Sequence, residues 1–266
     1  MSWVSRLVDR LWPPKWLYAT YERSVLGKLD KGSLPHHVAV LADGNRRWAR
    51  MNAPGQPLVA GYRAGAAKLI EFVEWCEDAE LEVITLWVLS TDNLSRANEG
   101  ELGPLLDVID QLVADLAARQ RWRVKVVGAL DLLDDERAAS LRASSDSTAG
   151  IEGMAVNVAV AYGGRHELRD AVRSLLAEKA EVGAQLGEVA RTLEIDEISE
   201  HLYTKGQPDP DLIIRTSGEQ RLSGFLLWQS AHSEYYFCEA LWPDFRRVDF
   251  VRALRAYTQR ERRFGR

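Results

Sequence analysis

His36-His37-Val38-Ala39-Val40-Leu41-Ala42-Asp43-Gly44-Asn45-Arg46-Arg47-Trp48-Ala49-Arg50 is the stretch that decides the fold. Val38 to Ala42 is an unbroken apolar run, preceded by Pro35 and stopped by Asp43-Gly44. A short apolar run between a proline and a turn-forming dipeptide reads as a buried strand. It delivers a carboxylate, a carboxamide and the guanidiniums of Arg46, Arg47 and Arg50 to the strand's end. Gly61-Tyr62-Arg63-Ala64-Gly65 closes the stretch. In an open α/β sheet, ligands bind in the crevice outside the carboxyl ends of the strands. A carboxylate beside several arginines there suits a metal ion together with a phosphorylated ligand.

The same pattern continues outward. Residues 61–79 carry apolar positions at helical spacing, and Val83-Ile84-Thr85-Leu86-Trp87-Val88-Leu89 reads as a buried parallel strand. That strand ends in Ser90-Thr91-Asp92-Asn93-Leu94-Ser95-Arg96, a second polar cluster. Helices are expected over 102–118, 134–144, 167–180, 195–202 and 249–262. Strands are expected over 122–127, 154–161, 211–215 and 235–237, with a turn at Tyr162-Gly163-Gly164-Arg165 and a polar loop from Thr216 to Gly224. Strands alternating with helices predict an α/β fold, a single domain over 34–266 whose central, mainly parallel six-stranded sheet is flanked by helices.

Residues 1–33 read as a separate amphipathic helical extension. Trp3, Leu7, Leu11 and Trp12 recur at helical spacing, and Trp16, Leu17, Tyr21, Val25 and Leu29 resume it after Pro13-Pro14. Arg6, Arg10, Lys15, Arg23, Lys28 and Lys31 outnumber Asp9, Glu22 and Asp30, whereas the whole chain has a net charge of -5. Such a segment packs on the body of the protein or lies peripherally on a membrane surface.

The overall negative charge argues against a nucleic-acid partner. Cys76 and Cys238 are the two cysteines, too few for a cysteine zinc site, and a reduced, cytoplasmic setting is the simpler expectation. Arg6, Asp9 and Arg10 interrupt the N-terminal apolar residues, so no secretory signal is expected. No phosphate-binding Gly-x-x-x-x-Gly-Lys-Ser/Thr, dinucleotide fingerprint or nucleophile elbow is present. What remains is Asp43 to Arg50, Ser90 to Arg96 and Arg215 to Ser223, three clusters that one sheet edge brings together. Arg46, Arg47, Arg50, Arg96, Arg215 and Arg221 on one crevice imply more than one phosphate group.

These segments resemble the signatures of the cis-prenyltransferase (undecaprenyl diphosphate synthase) family. The likeness rests on Asp43-Gly44-Asn45-Arg46-Arg47-Trp48-Ala49, on Ser90 to Arg96, on the long run from Asp211 to Gln229, and on Ser233 to Phe237 with Leu241-Trp242-Pro243-Asp244-Phe245. The resemblance implies a homodimeric, Mg²⁺-dependent enzyme that condenses isopentenyl diphosphate with an allylic diphosphate. It implies that Asp43 holds Mg²⁺ and is catalytic with Asn93, and that Glu234 is a second metal-linked carboxylate. It places Gly44, Asn45, Arg46, Arg47, Trp48 and Tyr62 around the allylic diphosphate. Ser90, Thr91, Asp92, Leu94, Arg96, Arg215, Arg221, Leu222 and Ser223 would complete substrate binding, and Arg263-Phe264-Gly265 resembles a tail that reaches the partner subunit.

The chain also departs from the long-chain pattern. Tyr62 stands where those enzymes show a histidine, Leu89 where they show an aromatic residue, and Leu94 where a tryptophan is usual. Together with Gln220 and the run Gln229 to Glu234, this resembles the actinobacterial short-chain members, which make (2Z,6E)-farnesyl diphosphate from geranyl diphosphate. The alternatives are a longer-chain polyprenyl diphosphate synthase and a non-catalytic partner subunit.

Overall fold

The computed structural model describes residues 31–96 and 99–260, with only the backbone of Lys31, Ser95, Arg96 and Glu99. Most of the predicted N-terminal extension, and the Arg263–Gly265 tail, lie outside the described residues. Lys31–Ser33 form a short 3₁₀ turn that leads into the first strand.

That strand, β1, is His37–Leu41, buried along its whole length. It is followed by helices α1 (Asn45–Asn52) and α2 (Val59–Asp78), strand β2 (Val83–Trp87), and helices α3 (Thr91–Arg96) and α4 (Glu99–Ala118). Strand β3 (Arg123–Val127), helix α5 (Asp135–Asp146), strand β4 (Ala155–Ala159) and helix α6 (Gly164–Glu181) come next. The short helices α7 (Leu186–Thr192) and α8 (Ile195–Ser199) lead to β5 (Leu212–Arg215), β6 (Glu234–Phe237) and the closing helix α9 (Arg247–Thr258).

The strands form one sheet in the order β3-β4-β2-β1-β5-β6, and every pairing is parallel. The expected mainly parallel sheet is therefore wholly parallel among the described residues. β1 is the topological switch point, since the chain leaves it for β2 on one side and returns to β5 on the other.

Alternation along the strands builds two cores. Val38, Val40, Ile84, Leu86, Val156, Val158, Leu212 and Ile214 face Phe72 and Val73 of α2, Val113 and Leu116 of α4, and Phe250 and Leu254 of α9. Ala39, Leu41, Ala159 and Ile213 face a smaller cluster made with Tyr162, Phe225 and Leu226. Small β1 and β4 residues on that side leave room for aromatic rings: Trp87 stacks on Phe225 at 5.0 Å, and Tyr162 meets Phe225 edge-on.

The strands fall where the apolar runs predict them, within a residue or two at the ends. Helices α1, α3 and α7 were not anticipated, and the helix expected over 195–202 ends at Ser199. α1 is largely polar, and Ala49 is its one buried residue, so it offers no repeating apolar stripe to read. Its neighbour instead makes room for it: a Cβ on Gly61 would sit 2.2 Å from the Asn45 carbonyl oxygen, and one on Gly65 would sit 2.3 Å from Asn45 Oδ1.

Candidate active site

Asp43 lies just beyond the carboxyl end of β1 and is fixed by its backbone. Its N–H is shared by the Leu41 carbonyl and Thr216 Oγ1, both at 3.0 Å, and its own carbonyl accepts from Thr216 Oγ1 (2.8 Å) and the Trp242 N–H (2.9 Å). Gly44 then turns the chain at φ 113°, a conformation that L side chains rarely adopt, with Leu241 packed where a Cβ would project. The Asp43 carboxylate is left partly open to solvent, with Oδ2 accepting from Arg215 Nη2 at 3.1 Å.

Arg215 ends β5, directly beside β1, and is almost wholly buried. Its Nη1 donates to the Arg221 carbonyl and to Ser223 Oγ (3.1 Å), while Nε is buried without a partner. Arg215 thus lies at the crevice as a buried guanidinium with one N–H unpaired, beside a half-open carboxylate. Arg47 Nη2 donates to the Ser217 carbonyl at 3.1 Å, which ties α1 to the loop after β5. Ser217 and Gly218 both adopt left-handed φ, as do Ser223 and Gly224, so the loop folds back over Arg215. Ser217 Oγ is a second buried polar atom without a partner.

On the other side of β1, Ser90 Oγ accepts from the Asn93 N–H (3.0 Å), opening α3 and leaving the Asn93 and Asp92 side chains exposed. Thr91 is buried next to His166, and Leu94 is half-buried against the larger core. Tyr62 of α2 donates to Glu101 of α4, whose carboxylate also lies 3.8 Å from Arg46. Burial and the Glu101 hydrogen bond push the Tyr62 phenol well up, so it stays a donor throughout the working range. Trp48 donates to Asp244 Oδ1 at 2.8 Å. Arg221 is exposed and pairs with Glu219, while Leu222 packs half-buried on the smaller core.

The structure thus brings Asp43, Gly44, Asn45, Arg46, Arg47, Trp48, Tyr62, Ser90, Thr91, Asp92, Asn93, Leu94, Arg215, Arg221, Leu222 and Ser223 to one sheet edge. The Arg96 side chain is outside the described residues. Glu234 is not brought there. It opens β6 and pairs with Leu212 at the start of β5, whereas Arg215 pairs with Phe237, so Glu234 sits at the opposite edge with Arg260. Within one chain it cannot share a metal ion with Asp43, and no cluster of three or more potential metal ligands occurs among the described residues. Thr216 and Leu241 lie in segments that carry the resemblance, but their supporting roles, like that of Glu101, depend on which elements become neighbours.

A wholly parallel sheet with an open carboxylate and several arginines at its switch-point crevice defines the α/β class whose ligands bind beyond the carboxyl ends of the strands. Residues 41–265 match the family model described as putative undecaprenyl diphosphate synthase, and the chain belongs to that prenyltransferase family. It is 55% identical to the (2Z,6E)-farnesyl diphosphate synthase of Thermobifida fusca, over 94% of this chain and 97% of that one. It is 54% identical to the enzyme of the same name from Mycolicibacterium smegmatis, over 93% of this chain and 95% of that one. Among solved structures it resembles lavandulyl diphosphate synthase from Lavandula x intermedia in complex with dimethylallyl diphosphate, with a TM-score of 0.79 at 30% identity over 88% of this chain and all of that one.

Proposed function

We propose that the protein joins isopentenyl diphosphate to geranyl diphosphate, releasing diphosphate and giving (2Z,6E)-farnesyl diphosphate. The observation that carries this reading is the Asp43–Arg215–Ser223 constellation at the switch point, in a chain more than half identical to two synthases of that name. In the reaction the allylic C–O bond breaks, a C–C bond forms to the isopentenyl double bond, and a proton leaves the isopentenyl unit.

The donor set at Asp43 suits Mg²⁺, which is held beside phosphates by one or two carboxylates with the remaining positions left to substrate oxygens and water. Asp43 would hold the ion, which would supply positive charge opposite the leaving diphosphate. Gly44 to Arg47 cradle the allylic diphosphate through the start of α1, with Trp48 and the Tyr62 hydroxyl at its flanks. Arg215, Arg221, Ser223 and Arg96 bind isopentenyl diphosphate, with Thr91, Asp92 and Leu222 around them. Asn93 and Ser90 line the path of the departing proton. Holding both substrates in attack geometry is the chain's largest contribution beyond charge stabilisation.

A short product is supported by the apolar wall beside Asn93: Leu89 is buried in the larger core, and Val88, Leu94 and Leu105 pack on it. A homodimer is supported by β6, an edge strand that carries partly exposed Tyr235 and Phe237 and that a second copy would cover. No helix among the described residues is long and apolar enough to cross a membrane. A cytoplasmic enzyme that meets membranes peripherally through its basic, tryptophan-bearing residues 1–33 is consistent with that.

The test is incubation with geranyl diphosphate, labelled isopentenyl diphosphate and Mg²⁺. Elongation is expected to stop after one condensation, and Asp43→Ala to lose roughly 10²–10³-fold in turnover while folded. Products many isoprene units long would establish a long-chain synthase instead. Failure to turn over any allylic primer would establish a non-catalytic partner subunit.

A further inference from the structure

Glu167 is a carboxylate with 1% exposure, in the first turn of α6, and the chemistry above does not use it. A buried acid is expensive unless its oxygens are filled, and these are. Oε2 accepts from the Tyr162 hydroxyl, and Oε1 accepts from the Tyr203 N–H and from Gln229 Nε2, both at 3.0 Å. Gln229 Nε2 also reaches Thr204 Oγ1 at 3.0 Å. Burial raises the Glu167 carboxyl, and these donors pull the other way.

What the two side-chain partners carry gives the cluster its meaning. Tyr162 follows β4 and is locked to the loop after β2: its N–H donates to the Leu89 carbonyl (2.9 Å) and its carbonyl accepts from the Thr91 N–H (3.1 Å). The Ser90–Asn93 segment is therefore registered on Tyr162. Gln229 ends the loop that holds Arg221, Ser223 and Phe225, and the Gly164 N–H fastens that loop to the start of α6 through the Gly224 carbonyl (2.9 Å). One buried carboxylate thus links the loop after β2 to the loop after β5 that holds Arg215's partners Arg221 and Ser223. The residues that donate to Glu167 (Tyr162, Tyr203 and Gln229) lie outside α1 and α2.

From this geometry we infer that Tyr162, Glu167 and Gln229 form a positioning brace for the isopentenyl diphosphate subsite, setting the spacing between the Ser90–Asn93 loop and the Arg221–Ser223 loop. The inference rests on the proposed assignment of those loops to isopentenyl diphosphate. The brace acts through the residues it holds and touches no substrate, so its loss falls on one substrate and not on the other.

Steady-state kinetics of the full chain, with each substrate varied in turn, test this. Glu167→Ala and Tyr162→Phe are each expected to raise KM for isopentenyl diphosphate at least ten-fold, with KM for geranyl diphosphate within two-fold. Glu167→Gln, which keeps an acceptor oxygen, should recover most of the loss. The Glu167→Ala/Tyr162→Phe double variant should be no worse than Glu167→Ala alone, as expected of parts of one unit. An unchanged isopentenyl KM, or both KM values rising together with a falling melting temperature, would overturn it. If Glu167→Ala does not fold, Tyr162→Phe, which keeps the ring packed on Phe225, carries the same test. Wild-type turnover is measured first, so failure of the functional reading is seen before any variant is compared.

Discussion

At the scale of single residues, the site turns on the mutual dependence of Asp43 and Arg215. Arg215 is buried with three acceptors around it, and its planar fork serves Asp43, Ser223 and the Arg221 carbonyl at once. Lysine, a point donor on a flexible stem, cannot reproduce that geometry. Arg215→Lys is therefore expected to lower kcat/KM by about 100-fold, the scale of losing a prearranged donor to developing charge. Circular dichroism should show the fold retained, and an activity within a few-fold of wild type would contradict this role. Asp43 and Arg215 were legible in the sequence because each lies at the carboxyl end of an apolar strand run. Glu234 does not join Asp43 within one chain for the complementary reason: it opens the strand that runs through Phe237, and in a parallel sheet the first residue of a strand lies at the opposite edge. Glu167 and Thr216 were not legible, since the hydrogen bonds that give them their roles, to Tyr203 and Gln229 and to Asp43, join segments 36 or more residues apart.

At the scale of elements, apolar runs identified the strands and amphipathic spacing identified α2, α4, α6 and α9. Helices α1 and α7 bury only Ala49 and Val189 respectively, and periodicity cannot register a helix that presents almost no apolar face. What holds α1 is the approach of Asn45 to Gly61 and Gly65, and this makes the two glycines unequal. A Cβ at position 61 meets backbone, the Asn45 carbonyl, whereas one at position 65 meets the Asn45 side chain. Gly61→Ala should force α1 away from α2 and cost about 2–3 kcal/mol, the upper range for overpacking, while Gly65→Ala should cost about 1 kcal/mol as the side chain gives way. Both should weaken binding of the allylic substrate, because Asn45 to Arg47 ride on α1. Equal denaturation midpoints for the two variants would refute the ranking.

At the scale of the whole molecule, the sheet is stitched near the amino edge of its strands by a polar chain beneath β1, β2 and β4. His37 Nδ1 lies 2.8 Å from the Pro208 carbonyl and Nε2 lies 2.9 Å from Thr85 Oγ1, which also accepts from Asn157 Nδ2 at 3.1 Å. Asn157 exchanges further hydrogen bonds with Gln207. With Nδ1–H donating to the Pro208 carbonyl, Nε2 of the neutral ring is left to accept from the Thr85 hydroxyl. Burial accordingly lowers the His37 pKa from 6.5 to about 4. Between those values the unfolded chain binds the extra proton and the folded chain does not, so stability is full above about pH 6.5 and falls as the pH drops towards 4. The full loss is about 3 kcal/mol, of which about 2 kcal/mol is gone by pH 5. Glu167, whose carboxyl is raised by burial, works in the opposite sense, because its folded form takes up a proton more readily than the unfolded chain. The two contributions separate in His37→Gln, which keeps hydrogen-bonding atoms but cannot titrate. Urea midpoints should fall between pH 7 and pH 5 in the wild type and stay nearly level in the variant, even though the variant starts lower at pH 7. Parallel slopes would show that the acid sensitivity of this sheet arises elsewhere.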